Sequence, residues 1–298
     1  METYLVIDIG GSAIKYAHMS KSGDILEKGD IPVPYTSLED LIISIQSLHQ
    51  LFPKVVGLAV SMPGIIDMEK GIAYTGGALS YIVDCPFVEL LENALGIPVT
   101  IGNDAKCAGF AEVACGSLQD VEDAVVIILG TGIGGCVIKD KKVHQGRNFA
   151  AGEISSLRVN NKEFHNSNYF WCYRNGTRGL LHCVQERLEC EDVYNGKEIF
   201  EMANQGNELV KQGIRDFCLD IAIQIFNMQA FYDPQKIAIG GGISWQPLLM
   251  ELLGECLDTV FKEGPAHPIQ YPNVVVCQYR NDANLIGAFY QHLEAKRT

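Results

Sequence analysis

The chain has 298 residues, 47% of them apolar, and a formal net charge of −13. That length allows one large domain or two ordinary ones, and the apolar share allows a sizeable core. The negative charge is spread along the chain, which argues against non-specific attraction to nucleic acid or to an anionic membrane surface. An anionic ligand stays possible, because helix ends and backbone amides bind phosphate without net positive charge. The ten cysteines lie mostly in apolar segments, among them Cys107, Cys136 and Cys277, as small buried hydrophobes do. No two form a Cys-x-x-Cys pair. The opening METYLVIDIGG lacks the basic and long apolar regions of a signal peptide, and no apolar run approaches the ~20 residues that span a bilayer. These features lead us to expect a soluble cytoplasmic protein with reduced thiols.

In chain order, YLVIDIGG reads as a buried strand ending in glycines. The following SAIKYAHMSKSGDILEKGDIPV alternates and turns at Ser22-Gly23-Asp24, which predicts a hairpin and a third strand. Ser37 is placed to cap a helix carrying Leu38, Leu41, Ile42, Ile45, Leu48 and Phe52, stopped by Pro53. VVGLAVSMPG is the next strand. A helix with Leu90, Leu91, Ala94 and Leu95 ends at Gly96 and Pro98. VTIGNDAKCAGFAE then runs from strand to helix. The pattern restarts at DAVVIILGTGIGGCVIKDKKVHQG, again a strand, a glycine turn and a hairpin. A long helix near 205–231, the strand KIAIGGG, a helix from about Ser244, the strand NVVVCQ and a last helix from about 283 complete the chain. The two halves therefore open alike, with a boundary near residue 117, and the alternation of strands and helices predicts mainly parallel or mixed sheets covered by helices.

Three glycine clusters follow strands: DIGGS at 8–12, LGTGIGG at 129–135 and IGGGIS at 239–244. Glycine lets main-chain amides come close to a phosphate chain, although one such cluster alone would read as a tight turn. Gly130-x-Gly132-x-x-Gly135 matches the dinucleotide pattern, but that fingerprint needs a helix after its last glycine. CVIKDKKV reads instead as a strand. No lysine followed by Ser or Thr completes a P-loop. Asp8 stands inside an apolar strand, where a carboxylate is costly unless it is paired or faces a ligand. A bond to the turn backbone is one role for it, and a water-mediated contact to Mg²⁺ is the other. Asn103-Asp104-Ala105 and Asn281-Asp282-Ala283 pose a related choice, between capping a helix and doing chemistry.

Taken together, DIGGSAIKYAHMSKSGDIL, SMPGIID, IGNDAKCAGFAE, LGTGIGGCVIKDKKVHQGRNFAAGEI and AIGGGIS resemble, in order and spacing, the ROK family of repressors, open reading frames and sugar kinases. The resemblance covers almost the whole chain. It implies an α/β, two-lobed actin-like (ribonuclease-H-like) ATPase fold with ATP and sugar in the interdomain cleft. The lobes it implies are 1–117, joined by the C-terminal helix 283–298, and 118–282. By matching position, Asp8, Gly10, Gly11 and Lys15 look like the first phosphate motif, with the Mg²⁺ of ATP near Asp8. Thr131, Gly132 and Gly134 look like the second, and Gly241 and Gly242 like the adenosine motif. Gly64, Asn103 and Glu153 resemble sugar-contacting positions, and Asp104 matches the catalytic base. Asp282 is then left to cap the last helix.

One part of the family pattern is missing. Many members carry a histidine three residues after the glutamate of the Gly-Glu motif, followed by a Cys-x-Cys-Gly-x-x-Gly-Cys zinc cluster. Here Ser156 stands at the histidine position in the sugar pocket, and His165 and Cys172 supply at most two of the four ligands that structural zinc needs. We therefore expect no zinc. Phe170, Trp171 and Tyr173 would stabilise that segment by packing, with a sugar-stacking or subunit-contact role as the alternative. Arg174 and Arg178 read as surface residues, and His18, His49, His182 and His292 as structural or exposed. The expected activity is ATP-dependent phosphorylation of a hexose or hexose derivative at a primary hydroxyl, the 6-OH, by a homodimer. Two alternatives come from the same family. A sugar-binding regulator without turnover is kept open by Ser156 and the missing cluster. A repressor is disfavoured by the acidity and by the short run before the first strand.

Overall fold

The structure, a computed structural model, describes residues 2–159, 167–264 and 268–296. The chain divides into two units, one of Met1–Gly116, Gln145–Ala151 and Asn281–Thr298, the other of Ser117–His144 and Gly152–Arg280. The short segment Gln145–Ala151 thus groups with the first unit, although the chain on both sides of it belongs to the second.

The first unit is built on β1 (Thr3–Ile9), β2 (Ala13–Ser20) and β3 (Ile25–Pro32), an antiparallel meander. After α1 (Leu38–Leu51) comes β4 (Leu58–Met62). Three short strands, β5 (Ile66–Asp67), β6 (Ile72–Thr75) and β7 (Val83–Cys85), make a small sheet of their own before α2 (Phe87–Leu95), β8 (Val99–Asn103) and α3 (Asp104–Cys115). The main sheet has the order β3-β2-β1-β4-β8, with β4 parallel to β1 and β8 parallel to β4. β1 is buried on both faces, which explains its nearly unbroken apolar run. Leu5, Ile7 and Ile9 pack with Leu41, Ile45 and Leu48 of α1 and with Phe87 and Leu91 of α2. Tyr4 and Val6 pack on the other face with Cys107 of α3 and with Leu285 and Phe289 of the C-terminal helix. Ser37 caps α1 as expected, taking the Asp40 N–H, and Gly96 ends α2 in the left-handed conformation.

The second unit repeats the plan. β9 (Ala124–Leu129) and β10 (Ile133–Lys139) form the antiparallel hairpin that the sequence suggests, followed by β11 (Lys142–Val143). The helices α4 (Trp171–Arg174), α5 (Thr177–Leu188), α6 (Gly196–Asn204) and α7 (Glu208–Tyr232) precede β12 (Lys236–Gly240), α8 (Pro247–Asp258) and β13 (Val274–Val276). The sheet order β11-β10-β9-β12-β13, with β12 parallel to β9 and β13 parallel to β12, is that of the first unit element for element. Its core joins Val125, Ile127 and Leu129 of the sheet to Ile214, Phe217 and Ile221 of α7 and to Leu249 and Leu253 of α8. The last helix, α9 (Ala283–Ala295), returns to the first unit and lies close to α3. A Cβ on Gly287 would stand 1.7 Å from the Cys107 carbonyl oxygen, so only glycine fits that crossing.

α8 starts at Pro247 rather than near Ser244, because Ser244 closes a turn. Its N–H and its hydroxyl both donate to the Gly241 carbonyl, at 3.2 and 2.8 Å. Asp282 also departs from expectation. It precedes α9 but makes no side-chain capping bond. Its carboxylate instead receives the Lys28 ammonium at 3.0 and 2.9 Å, a partner that comes from β3 and that no local pattern signals.

Candidate active site

The glycine turns after β1, β9 and β12, the Gly64 loop after β4 and Asn103-Asp104 at the end of β8 stand at the C-terminal ends of parallel strands, where open α/β sheets place their ligand sites. In the first unit Asp8 pairs in register with Ser61, and Met62 with Asn103. The first glycine turn, the loop with Gly64, and Asn103-Asp104 are thereby brought to one edge of the sheet.

The first turn is closed by the Gly10 N–H donating to the Ala13 carbonyl at 2.9 Å. A Cβ on Gly11 would meet nothing within 4 Å, so that position is open. Tyr35 donates its hydroxyl to the Gly11 carbonyl. Lys15 lies opposite Asp8 across the hairpin and is exposed. Asp8 is only 6% exposed. Its partners are side chains rather than the turn backbone: the Ser61 hydroxyl at 2.7 Å and the Asn284 amide at 3.1 Å both donate to Oδ1. Burial raises the Asp8 pKa above the ordinary carboxylate value, and the Ser61 and Asn284 bonds and the Lys15 charge pull the other way.

At the end of β8 the backbone of Asn103 is extended and its side chain is the N-cap of α3, accepting from the Lys106 N–H at 3.1 Å. The Asn103 amide donates to the Gly64 carbonyl at 3.0 Å. Gly64 has φ +112°, and a Cβ there would lie 2.0 Å from the Thr75 carbonyl oxygen, so this loop needs glycine. With the cap supplied by Asn103, Asp104 stands as the first helical residue, half-buried, its Oδ1 accepting the Ala105 N–H at 2.8 Å. The carboxylate is thus fixed at a helix N-terminus, a favourable place for negative charge. One residue of this edge escaped the sequence reading. Lys106 is 1% exposed and donates its ammonium to the Phe149 carbonyl. A lysine is almost never fully buried unless paired, and an apolar flank after Asn-Asp was the only sequence hint.

In the second unit the β9–β10 turn is closed by the Gly130 N–H donating to the Gly132 carbonyl at 3.0 Å, with Thr131 exposed at its tip and Gly134 following in β10. The Gly130 carbonyl accepts from both the Thr177 N–H, at 2.9 Å, and the Thr177 hydroxyl, at 2.8 Å. Thr177 begins α5, and a Cβ on Gly176 just before it would lie 2.2 Å from the Thr131 carbonyl oxygen. The start of α5 therefore backs the turn. Gly241 has φ +97°, and its Cβ would lie 2.1 Å from the Leu129 carbonyl oxygen. The Gly241 turn and the Gly130–Gly132 turn are neighbours because β12 and β9 are, whereas Gly242 faces open space. Glu153 is half-buried and follows Gly152, whose φ of +82° lets the chain pass β10 closely. Ser156 is exposed, and its N–H donates to the Glu153 carbonyl at 3.1 Å.

Trp171 packs in the core of this unit. Its indole donates to Asn175 at 2.7 Å, and Asn175 donates on to the Phe217 carbonyl at 2.9 Å. Phe170 lies under the Arg158 guanidinium, Tyr173 is exposed, and Arg174 pairs with Asp220 at 3.3 Å. Arg178 is exposed. Cys172 is half-buried, and burial raises its thiol pKa, while His165 lies outside the described residues. Among the described residues no cluster of three or more His, Cys, Asp or Glu side chains is placed to hold a metal ion, and no helix is long and apolar enough to cross a membrane.

Two α/β units of one strand order, each opening on a glycine hairpin, make the actin-like fold of the sugar kinases. Residues 4–294 match the model of the ROK family, and the chain belongs to that family. It is similar to a β-glucoside kinase of Klebsiella pneumoniae, with 29% identity over 293 residues that cover 98% of this chain and 96% of the relative. It is similar also to an N-acetylmannosamine kinase of Escherichia coli, with 28% identity over 297 residues covering 96% and 97% of the two chains. A solved ROK family protein from Streptococcus pneumoniae, in complex with sucrose, aligns with a TM-score of 0.86 and 30% identity over 99% of this chain and 100% of that one.

Proposed function

We propose that this ROK family protein is an ATP-dependent sugar kinase that phosphorylates a primary hydroxyl, the 6-OH, of a hexose or hexoside, with Asp104 as general base. The observation that carries the reading is the division of labour at the end of β8. Asn103 caps α3 and ties down the Gly64 loop, so Asp104 is held at the helix start without being the cap. Sugar kinases of this family among the named relatives support the class of reaction.

In this mechanism Asn103, Asp104 and the Gly64 loop hold the sugar, and Glu153 binds sugar hydroxyls. The amides of the turns at Gly10-Gly11 and at Thr131, Gly132 and Gly134 receive the phosphates of ATP, with Gly241-Gly242 beside the nucleoside. Mg²⁺ enters as part of the MgATP substrate, with Asp8 and Lys15 on the strands of the first turn. Asp104 accepts the hydroxyl proton as the sugar oxygen forms its bond to the γ-phosphorus and the bond to the ADP oxygen breaks. ADP and the sugar phosphate leave. Positioned general-base catalysis of this kind is worth ~10²–10⁴-fold in rate. A coupled assay of ADP release, run with MgATP over a panel of hexoses and hexosides, tests the reading. It is sustained by ADP release that depends on a sugar, and it falls if no sugar raises ADP release above the background without sugar.

A further inference from the structure

A closed chain of contacts within the first unit passes through Asn103 and Lys106, the residues that flank the edge carrying Asp104. Asn103 accepts from the Lys106 N–H through its side-chain oxygen and donates to the Gly64 carbonyl. Gly64 presses against Thr75, and the Thr75 hydroxyl accepts the Ile65 N–H at 3.0 Å. The residue before it, Tyr74, stacks on Phe149 with ring centroids 5.7 Å apart and planes 27° apart. The Phe149 carbonyl accepts the ammonium of Lys106, which closes the ring. Asp104 lies between Asn103 and Lys106.

Two features of this ring go beyond ordinary packing. Phe149 has φ +61°, a conformation that costs a bulky residue free energy and persists only where its surroundings enforce it. Lys106, a buried cation whose ammonium donates to the Phe149 carbonyl, is one contact that holds it there. Tyr74 and Phe149 are also only half-buried, unlike Trp171 or the other core aromatic residues. A half-exposed stacked aromatic pair, tied through Lys106 to the edge that carries Asp104, suits the apolar face of a ring. The same segment holds Gln145, whose Oε1 is buried without a hydrogen-bond partner among the described residues, an acceptor that a ligand hydroxyl would satisfy.

We infer that Tyr74 and Phe149 form the wall of a subsite for the second ring of a glycoside, and that Lys106 is the positioning residue that holds Phe149 in place. This rests on the reading that the Asp104 edge binds the sugar. It makes the preferred acceptor a hexoside, with the phosphorylated ring on the polar groups and its substituent against the aromatic pair.

The test is binding of phenyl β-glucoside and methyl β-glucoside to the full chain by calorimetry, without ATP, so that turnover is not needed. The parent protein is expected to bind the phenyl compound about tenfold more tightly. Tyr74→Ala and Phe149→Ala are expected to cut that preference to under about twofold, and Lys106→Met to do the same through Phe149. Phe149→Leu, which keeps bulk but loses the ring face, carries the test if the alanine variant does not fold, and it too should lose the preference. The inference is overturned if the parent shows no preference, if neither glucoside binds, or if the ratio survives in the Tyr74 and Phe149 variants even where both affinities fall. ADP release measured on the same two glucosides separates the two readings. Preferential binding without ADP leaves the subsite standing and removes the kinase, and sugar-dependent ADP with no phenyl preference does the reverse.

Discussion

Residues 103–105 and 281–283 both read Asn-Asp-Ala, and both stand at the start of a helix in the same unit, yet they are used differently. At the first copy a strand runs straight into the helix. Asn103 is extended, its side chain caps α3, and Asp104 becomes the first helical residue. At the second copy the turn Arg280–Asp282 leads in. Asp282 has φ −98° and ψ −2°, makes no cap, and its carboxylate is held by Lys28. The tripeptide therefore does not set the role. What precedes it decides whether the asparagine can cap, and what lies across from it decides what the carboxylate meets.

Breaking this contrast should give its largest effect at the carboxylates. Asp104→Asn is expected to lower sugar-dependent turnover by ~10²–10⁴-fold with little change in melting temperature, whereas Asp282→Asn should leave turnover within about twofold. Equal losses in the two variants, measured as kcat/KM beside thermal melts, would show that Asp104 has no special part.

The helices behind the two copies also differ in what they bury, which gives the next effect. α9 buries His292 completely, bonded through Nδ1 to the Thr100 hydroxyl at 2.9 Å. Burial, helped by the Lys296 ammonium, lowers its pKa to about 4. Above the ordinary value near 6.5 the ring is neutral folded or unfolded, so it costs nothing there. As pH falls below about 6.5 the unfolded chain takes up the proton and the folded chain does not, so stability is lost progressively towards pH 4. Urea unfolding of the parent and of His292→Gln at pH 7 and pH 4.5 should show the parent losing on the order of 2 kcal/mol more than the variant. A parent-to-variant difference that stays constant with pH would refute this.

Smaller effects sharpen the capping side of the contrast. Asn103→Ala removes both the cap and the tie to Gly64, and should cost roughly 1–2 kcal/mol in unfolding free energy together with a loss of kcat/KM. Asp282→Asn breaks only an exposed ion pair and should cost at most about 1 kcal/mol, less at high salt.

Much of the framework was legible in the sequence because its signals are local. The glycine hairpins, the Ser37 cap, the Gly96 stop and the second strand–turn–strand of β9 and β10 all follow from short-range chemistry. Rejecting the dinucleotide pattern at Gly130 agrees with β10, a strand and not a helix. The failures are non-local or small. Lys28 and Asp282 are 254 positions apart, and Lys106 meets Phe149 across 43, so neither partner is visible in a window. Ser244 looked like a helix start because its hydroxyl suits a cap, but that hydroxyl serves the glycine turn. The β5-β6-β7 sheet went unseen because its strands are only two to four residues long, too short to show alternation.

The bond from Asn284 to Asp8 spans 276 positions. During synthesis the β1 carboxylate thus waits for a donor made 276 positions later, and the α3 crossing at Gly287 waits with it. On the ribosome, the unit spanning residues 117–280 can finish its own sheet while the earlier-made one still lacks its closing helix. The unit carrying the proposed base is therefore completed only once α9 has been made, so release of the nascent chain before α9 would leave that unit without its closing helix.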